Sequence, residues 1–295
     1  MRNSVKQSLF PYLNPAPARR SGVNCGSILI VSIWVLAFFS ILSAGLCRIV
    51  SSQIRLVKSL EDRITCLYLA KAAYIYANLE RKEDQTTYDT LYELRHQRER
   101  QLGRGKFIYT FIDEESKLNI NTASKEIIAR LPGLTLELAQ NLIKSKLRPF
   151  HLKEEILLVE GINEEVYNAS KDFITVYTDG KVNINTAHLE VLRALGLDDD
   201  LILTINDFRL GKDDKEFTED DGVFQNSAEV INKLRSFRGL YESGEVILLQ
   251  LISQGLISVG SNNFTLEIET MVLNRPAMKY DIVIDKEKLK SWREY

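Results

Sequence analysis

Residues 28–42 are apolar at every position except Ser32 and Ser40, and no charged side chain falls between positions 21 and 47. A bilayer core takes about 20 mostly apolar residues in a helix, so this run predicts one membrane-crossing segment. The pattern then turns amphipathic. Ile54, Val57, Leu60, Ile64, Leu67 and Tyr68 recur at three-and-four spacing, with Arg55, Lys58, Glu61, Asp62 and Arg63 between them. That is the period of a helix with one apolar face. Neither proline nor glycine interrupts positions 46–101. Together the two stretches predict a single helix from Ser27 to about Leu79, about 80 Å long. Its first half suits lipid and its second half suits docking on a folded body.

Further on, the period changes. Charged residues 80–105 predict a short helix and then a loop at Gly103 and Gly105. Residues 107–112, Phe-Ile-Tyr-Thr-Phe-Ile, are β-branched and aromatic and predict a strand. Asp113, Glu114, Glu115 and Ser116 end it. Near the end of the chain Phe264, Leu266, Ile268 and Thr270 alternate with polar residues, as do Met278, Tyr280, Ile282 and Ile284, with Asn274-Arg275-Pro276 as a turn between them. That is a β-hairpin by period and punctuation. An isolated strand is unstable, so the strand at 107–112 is expected to pair with this hairpin in one antiparallel sheet packed on the second half of the long helix.

The stretch between strand and hairpin, 117–260, reads as an inserted helical domain containing a duplication. Lys117-Leu118-Asn119-Ile120-Asn121-Thr122-Ala123 aligns with Lys181-Val182-Asn183-Ile184-Asn185-Thr186-Ala187, and Glu126 and Leu131 align with Glu190 and Leu195. Repeats of this kind mark related structural units. In each copy an extended Asn-Ile-Asn leads into a helix. Asn121 or Thr122, and likewise Asn185 or Thr186, are expected to cap that helix by accepting a backbone N–H. Glu126 and Glu190 favour the positive helix end. Leu131-Pro132-Gly133-Leu134 predicts a helix–hairpin–helix turn into a helix carrying Leu138, Ala139, Leu142 and Ile143. Pro149-Phe150 opens a second pair with Val159-Glu160-Gly161-Ile162 as its hairpin, and Gly133 and Gly161 supply positive φ. The second copy is less regular, with an acidic hairpin at Gly196-Leu197-Asp198-Asp199-Asp200 and a charged loop at 212–222.

Composition narrows the function. Of 295 residues, 45% are hydrophobic and 26% charged, and the formal net charge is −2. A nucleic-acid-binding body usually shows a basic excess, which is absent here. Cys47 and Cys66 would lie about 28 Å apart on one helix, too far for a bridge within the chain. His96, His151 and His188 stand in separate contexts with no metal-ligand spacing, and His188 reads as a surface helix residue. Nothing matches a nucleophile motif or a phosphate loop, so the chain is not expected to be an enzyme.

Arg2, Lys6, Arg19 and Arg20 precede the apolar run, which places the N-terminus in the cytoplasm and the body across the membrane. The uncharged stretch 21–47 that holds the run is longer than the 7–15 residues of an ordinary secretory signal. A lipoprotein signal fits poorly, because Cys25 precedes the run and Cys47 follows Leu46. Cleavage between Gly26 and Ser27, before the run, leaves the hydrophobic helix on the mature chain. The segment from Gly26 to Ala37 resembles a type IV prepilin-like processing site with the glycine in an extended region ahead of the helix, and Gly22 is the alternative. The arginine pair sits several residues before Gly26, where such sites usually place it next to the bond.

This order of parts resembles the K-type minor pseudopilin (general secretion pathway protein K) of type II secretion systems. The likeness covers nearly the whole chain: prepilin-like leader, long helix, strand ending at Asp113-Glu114, the two Asn-Ile-Asn-Thr-Ala segments, and a terminal hairpin ending at Trp292-Arg293-Glu294. Counted from Ser27, the fifth residue is Val31, and K-type subunits resemble this chain in lacking the glutamate that most pilin-like subunits carry there. A carboxylate at that depth is costly without a neighbouring N-terminus to pair with it, so its absence suits a subunit with none above it.

The resemblance implies an α+β pilin-like fold made of a leader (1–26), a transmembrane stretch (27–47), a first pilin-like part (48–116), an inserted helical domain (117–260) with a duplicated helix–hairpin–helix (SAM-like) unit, and a C-terminal hairpin (261–295). It implies a non-enzymatic subunit of the inner membrane of a Gram-negative bacterium, with its body in the periplasm. It would cap the pseudopilus tip with the I-type and J-type minor pseudopilins, help start assembly and contact exported substrates. A prepilin peptidase would cleave the leader and methylate the new terminus. Calcium sites occur in this family, and the acidic candidates here are Asp213, Asp214, Glu219, Asp220 and Asp221, with Asp198, Asp199 and Asp200 as a second stretch. Calcium takes several oxygen ligands from flexible loops, but neither stretch matches the EF-hand pattern.

The competing resemblance is to membrane-anchored, competence-type DNA receptors with a helix–hairpin–helix. That mode needs hairpin amides facing a phosphate with basic side chains nearby. Here Thr135 stands where such motifs usually carry a second glycine, and Glu137, Glu154, Glu155, Glu160, Glu164 and Glu165 offset Lys144, Lys146 and Arg148.

Overall fold

The computed structural model describes residues 25–272, 278–286 and 288–295. The leader residues 1–24 and the turn at Asn274-Arg275-Pro276 lie outside the described residues. The chain divides into two compact units, Met1–Leu60 and Glu61–Tyr295.

Helix α1 runs from Cys25 to Glu83, four residues beyond the predicted end near Leu79. Among the described residues one helix is long and apolar enough to cross a membrane, at a mean hydropathy of 2.4. Within the second unit α1 is two-faced. Cys66, Leu69, Ala70, Ala73 and Ala77 are buried in one core with Phe107, Tyr109, Phe111, Leu266 and Ile282. Three alanines at 70, 73 and 77 bring the helix backbone close to the sheet.

After α1 come α2 (Leu91–Arg95), β1 (Arg98–Leu102) and β2 (Gly105–Asp113). The insertion holds β3 (Leu118–Asn119), α3 (Lys125–Ile128), α4 (Leu136–Lys144), α5 (Glu164–Ser170), β4 (Ile174–Thr175), β5 (Val182–Asn183), α6 (Leu189–Ala194), α7 (Asp199–Arg209), α8 (Val230–Phe237), α9 (Glu242–Ser253) and β6 (Ile257–Ser258). The chain closes with β7 (Asn263–Val272), β8 (Met278–Asp285) and β9 (Lys288–Glu294).

The described residues form an antiparallel sheet in the order β1-β2-β7-β8-β9. The register sets Phe111 opposite Leu266 and Ile268 opposite Tyr280. Phe107, Tyr109 and Phe111 alternate inward along β2, as the period of two requires. Edge-to-face contacts run from Tyr109 to Phe111 and on to Phe264, each with centroids 5.9 Å apart. The predicted pairing of strand and hairpin is therefore present. The edge strands β1 and β9 were not predicted. β1, Arg-Glu-Arg-Gln-Leu, carries no apolar alternation because it is almost wholly exposed, and charge on an edge strand blocks pairing with other chains.

The insertion is helical with one addition to the sequence reading. Each repeat opens on a two-residue strand that pairs in parallel with a strand at the far end of the same unit. Leu118 and Asn119 lie opposite Ile174 and Thr175, and Val182 and Asn183 opposite Ile257 and Ser258. A parallel pair needs a long crossover, and here the helices supply it. Both units share one hydrophobic core that includes Ile128, Leu142, Ile156, Val191, Ile205 and Leu234. Gly133 and Gly161 take positive φ of 76° and 87°, and a Cβ on Gly133 would fall 2.8 Å from the Ala169 Cβ. The hairpins therefore sit where the Pro-Gly and Glu-Gly dipeptides place them.

Candidate functional site

Gly26 and Ser27 lie within α1, which covers Cys25–Glu83 of the described residues. This corrects the expected extended glycine ahead of the helix. Further along α1, on the face turned away from the sheet, Ile64, Tyr68, Ile75 and Leu79 are exposed, Tyr68 and Ile75 each at 64%. Steps of four, seven and four residues keep them on one stripe. Large apolar side chains exposed in a row mark a surface that meets another apolar surface.

The asparagines of the repeat are not helix caps. Ser124 caps α3 by accepting the Ile127 N–H, while His188, at the cap position of α6, makes no side-chain cap bond. The first asparagine of each copy accepts the N–H of the second, at 2.8 Å for Asn119 and 3.0 Å for Asn183. The second asparagine grips the backbone of a distant buried phenylalanine in both directions. Asn121 donates to the Phe150 carbonyl and accepts its N–H, both at 2.8 Å. Asn185 does the same with Phe224, both at 2.9 Å, and also donates to the Val259 carbonyl at 3.1 Å. An amide carries a donor and an acceptor side by side, which is what pairing with one residue's N–H and C=O needs. The short motif thus staples the start of each unit to its middle.

The two chain crossings between sheet and insertion run side by side, and the second repeat copy joins them. Outgoing residues Asp113, Glu114, Glu115 and Ser116 are all buried, where the sequence reading took them only as a strand terminator. Asp113 Oδ2 accepts from Asn183 Nδ2 at 2.9 Å, Ser261 Oγ at 2.7 Å and Thr186 Oγ1, and its Oδ1 accepts the Glu115 N–H at 2.8 Å. Glu115 Oε1 accepts from Asn263 Nδ2 at 2.9 Å and the Asn262 N–H at 3.3 Å, and Oε2 from the Asn263 N–H at 3.1 Å. Asp89 accepts the Ser261 N–H at 2.7 Å and pairs with Arg81 at 2.8 Å. Glu114 pairs with Lys117 at 2.6 Å and accepts from Thr175 and Thr265 at 2.5 and 2.7 Å.

Burial acts on each of these acids, and their partners decide the outcome. For Glu114 the ammonium of Lys117 and the hydroxyl donors outweigh burial and hold it below the usual carboxylate range. Burial, reinforced by the charge of Asp113, pushes Glu115 up to about 8. Burial raises Asp89 to about 6 despite Arg81. Burial also raises Asp113, against the pull of its hydroxyl and amide donors.

The remaining candidates are placed as follows. Asp220 accepts the N–H groups of Lys212 and Asp213, Asp221 accepts those of Phe217 and Thr218, and Asp213 accepts that of Lys215. Glu219 accepts from the Tyr92 hydroxyl at 3.2 Å, and Asp214 takes a positive φ of 54°. The carboxylates of Asp213, Asp220 and Asp221 thus accept backbone amides and the Thr218 hydroxyl, and that of Glu219 accepts a phenol. Among the described residues no group of three or more histidine, cysteine, aspartate or glutamate side chains is placed to hold a metal. Asp198 caps α7 and Asp199 pairs with Arg193 at 2.9 Å.

His96 and His151 are exposed, whereas His188 is half-buried against Phe173, with ring centroids 5.6 Å apart. That corrects its reading as a surface residue. It borders a cleft of about 510 Å³ beside the sheet. Arg293 and Glu154, which also line this cleft, pair through two contacts of 2.6 and 2.8 Å. At the first hairpin, Thr135 caps α4 and Glu137 stands in its first turn.

Comparison with known proteins adds two findings. Residues 113–175 match the helix-hairpin-helix motif family, which covers the end of β2 and the first unit of the insertion. No curated protein matches the sequence. The structure is similar to a chain in the crystal structure of the GspK-GspI-GspJ complex from the type 2 secretion system of enterotoxigenic Escherichia coli. The TM-score is 0.57 at 16% identity, and the likeness covers 81% of this chain and 99% of that one. A long N-terminal helix, a small antiparallel sheet and an inserted helical domain thus give this chain a GspK-like pilin fold.

Proposed function

We propose that this chain is a minor pseudopilin of a type II secretion system, a non-enzymatic subunit at the pseudopilus tip. The observation that carries the reading is the fold likeness, which spans sheet and insertion together in a relative solved as part of a GspK-GspI-GspJ assembly. The apolar run in α1 supports an inner-membrane anchor, with the N-terminus in the cytoplasm and the body in the periplasm of a Gram-negative cell. A prepilin peptidase would cut between Gly26 and Ser27. The tip position is supported by Val31 in place of a glutamate and by the bulk of the insertion, which leaves little room for a subunit above it. There the subunit would help start fibre assembly and meet exported proteins. The DNA-receptor reading is not favoured, since Glu137 puts a negative charge beside the hairpin amides that a phosphate would need.

The partners proposed are the I-type and J-type minor pseudopilins, whose helices would pack on the stripe of Ile64, Tyr68, Ile75 and Leu79. The test is co-purification of the full chain with both partners from membranes. Tyr68→Asp with Ile75→Asp is expected to lower recovery of the complex at least about tenfold, because a buried unpaired charge is costly at a packed interface. The melting temperature of the subunit alone should hardly move, since both side chains are exposed. Undiminished recovery would remove the stripe from the interface, and failure of the unaltered chain to bring down either partner would contradict the assembly.

A further inference from the structure

The junction of sheet and insertion concentrates acid where it has little cationic compensation. Asp89, Asp113 and Glu115 are buried at 2–3% exposure. Among the described residues the cation paired with this trio is Arg81, which contacts Asp89 and is shared with Asp84 at 3.0 Å, while Lys181 lines the same cavity as Arg81, Asp89 and Ser261. Other charges face the trio from each packed element. Glu93 lies on α2, Glu114 and its partner Lys117 on the outgoing crossing, and Asp285 opposite Asn263 across the sheet. Three buried carboxylates beside one shared guanidinium do not all keep their charge at low cost, because like charges in a desolvated site repel and protonate instead.

The hydrogen bonds indicate which acid gives way. Asp113 receives four donors, which favours its anion. Glu115 receives three, from the Asn262 and Asn263 N–H groups and the Asn263 amide, one fewer than Asp113. The side-chain amide that grips Glu115 also carries a buried oxygen, Asn263 Oδ1, that receives no hydrogen bond among the described residues. A half-turn of that amide exchanges its nitrogen and oxygen. It would bring the orphaned oxygen to the position now 2.9 Å from Glu115 Oε1, where a protonated carboxyl meets it and an anion does not.

We propose that the two crossings form a proton-operated clasp, in which Glu115 carries a proton while the junction is closed. When that proton leaves to solvent, Glu115 and Asp113 stand as two anions two residues apart on the outgoing crossing, water enters, and the grip of Ser261, Asn262 and Asn263 on that crossing loosens. The effect is to make the hold of the sheet on the insertion depend on pH near neutrality, and it does not depend on the pseudopilin reading. The rise of Glu115 to about 8 agrees with this geometry. A buried acid raised in this way stabilises the folded state fully below its unfolded value. That contribution is lost as pH climbs toward the folded one. Asp89 acts in the same sense up to about 6. His188, lowered by burial, acts in the opposite sense and is spent once pH exceeds its ordinary value. Burial raises Asp113 as well, and the two acids titrate together, so the window from about pH 6.5 to about pH 8 reports the Asp113–Glu115 pair.

The test is hydrogen–deuterium exchange of the full chain in detergent micelles, read by mass spectrometry on peptides containing residues 113–116 and 261–263. After correction for intrinsic exchange, opening of these peptides is expected to rise about tenfold per pH unit in that window, the slope of a single proton. Glu115→Gln should flatten the slope at these peptides. A flat profile in the unaltered chain, or an unchanged slope in Glu115→Gln, would overturn the clasp. Should Glu115→Gln not fold, the carbon-13 titration of the Glu115 carboxyl in the unaltered chain decides, and a midpoint in the ordinary glutamate range overturns it equally.

Discussion

Asn185→Ala is expected to destabilise the body by about 3–5 kcal/mol, and Asn121→Ala by about 1–3 kcal/mol, although both remove the second asparagine of the same five-residue motif. The difference follows from what each truncation leaves behind. Removing the Asn185 amide strips the partners of the Phe224 N–H and carbonyl and one of the two donors to the Val259 carbonyl, which keeps the Asp89 N–H, all around a buried side chain. A buried backbone group without a partner costs about 1–3 kcal/mol, and the losses add only in part because the space relaxes. Removing the Asn121 amide strips two partners, both on Phe150, at a site that water reaches more readily. Equilibrium urea unfolding followed by circular dichroism measures both. Equal losses, or a loss below about 1 kcal/mol for Asn185→Ala, would mean that the staples do not hold the units together.

Gly26→Val is expected to leave the precursor uncut and, on the pseudopilin reading, to abolish assembly of the fibre. For hydrolysis the bond from Gly26 to Ser27 must leave the helical conformation and enter a peptidase site as extended chain. Glycine lowers the cost of that change, because its backbone reaches extended and helical conformations alike and it adds no side chain to place. Valine adds a branched side chain at the scissile bond, where close approach of the catalytic groups leaves no room for it. Immunoblots of cells expressing the peptidase measure the ratio of precursor to mature chain. Full processing of Gly26→Val would move the cleavage site elsewhere, with Gly22 as the next candidate.

The features legible in the sequence are those whose signal is local or periodic. An unbroken helical period gave α1, strict alternation gave β2, β7 and β8, and the Pro-Gly and Glu-Gly dipeptides gave the two hairpins. The edge strands β1 and β9 escaped because their ladder bonds come from a neighbour rather than from an apolar face. The two-residue strands of the repeats are too short to show a period. The repeat asparagines carry a strong local cap signal, yet their partners lie 29 and 39 residues ahead, and nothing local indicates Phe150 or Phe224. The acids after β2 read only as the end of a strand, and nothing local shows that they are buried. Their burial rests on Ser261, Asn262 and Asn263, with Asn263 148 residues further along the chain from Glu115.

The most direct test of the pseudopilin account is the intact mass and N-terminal sequence of the full chain co-expressed with a prepilin peptidase. The account predicts a mature chain that begins at Ser27, carries a methylated terminal amine and keeps its apolar helix. An intact Met1 terminus, or cleavage beyond the apolar run, would contradict it and return the helix–hairpin–helix domain to consideration as a nucleic-acid module on a membrane anchor.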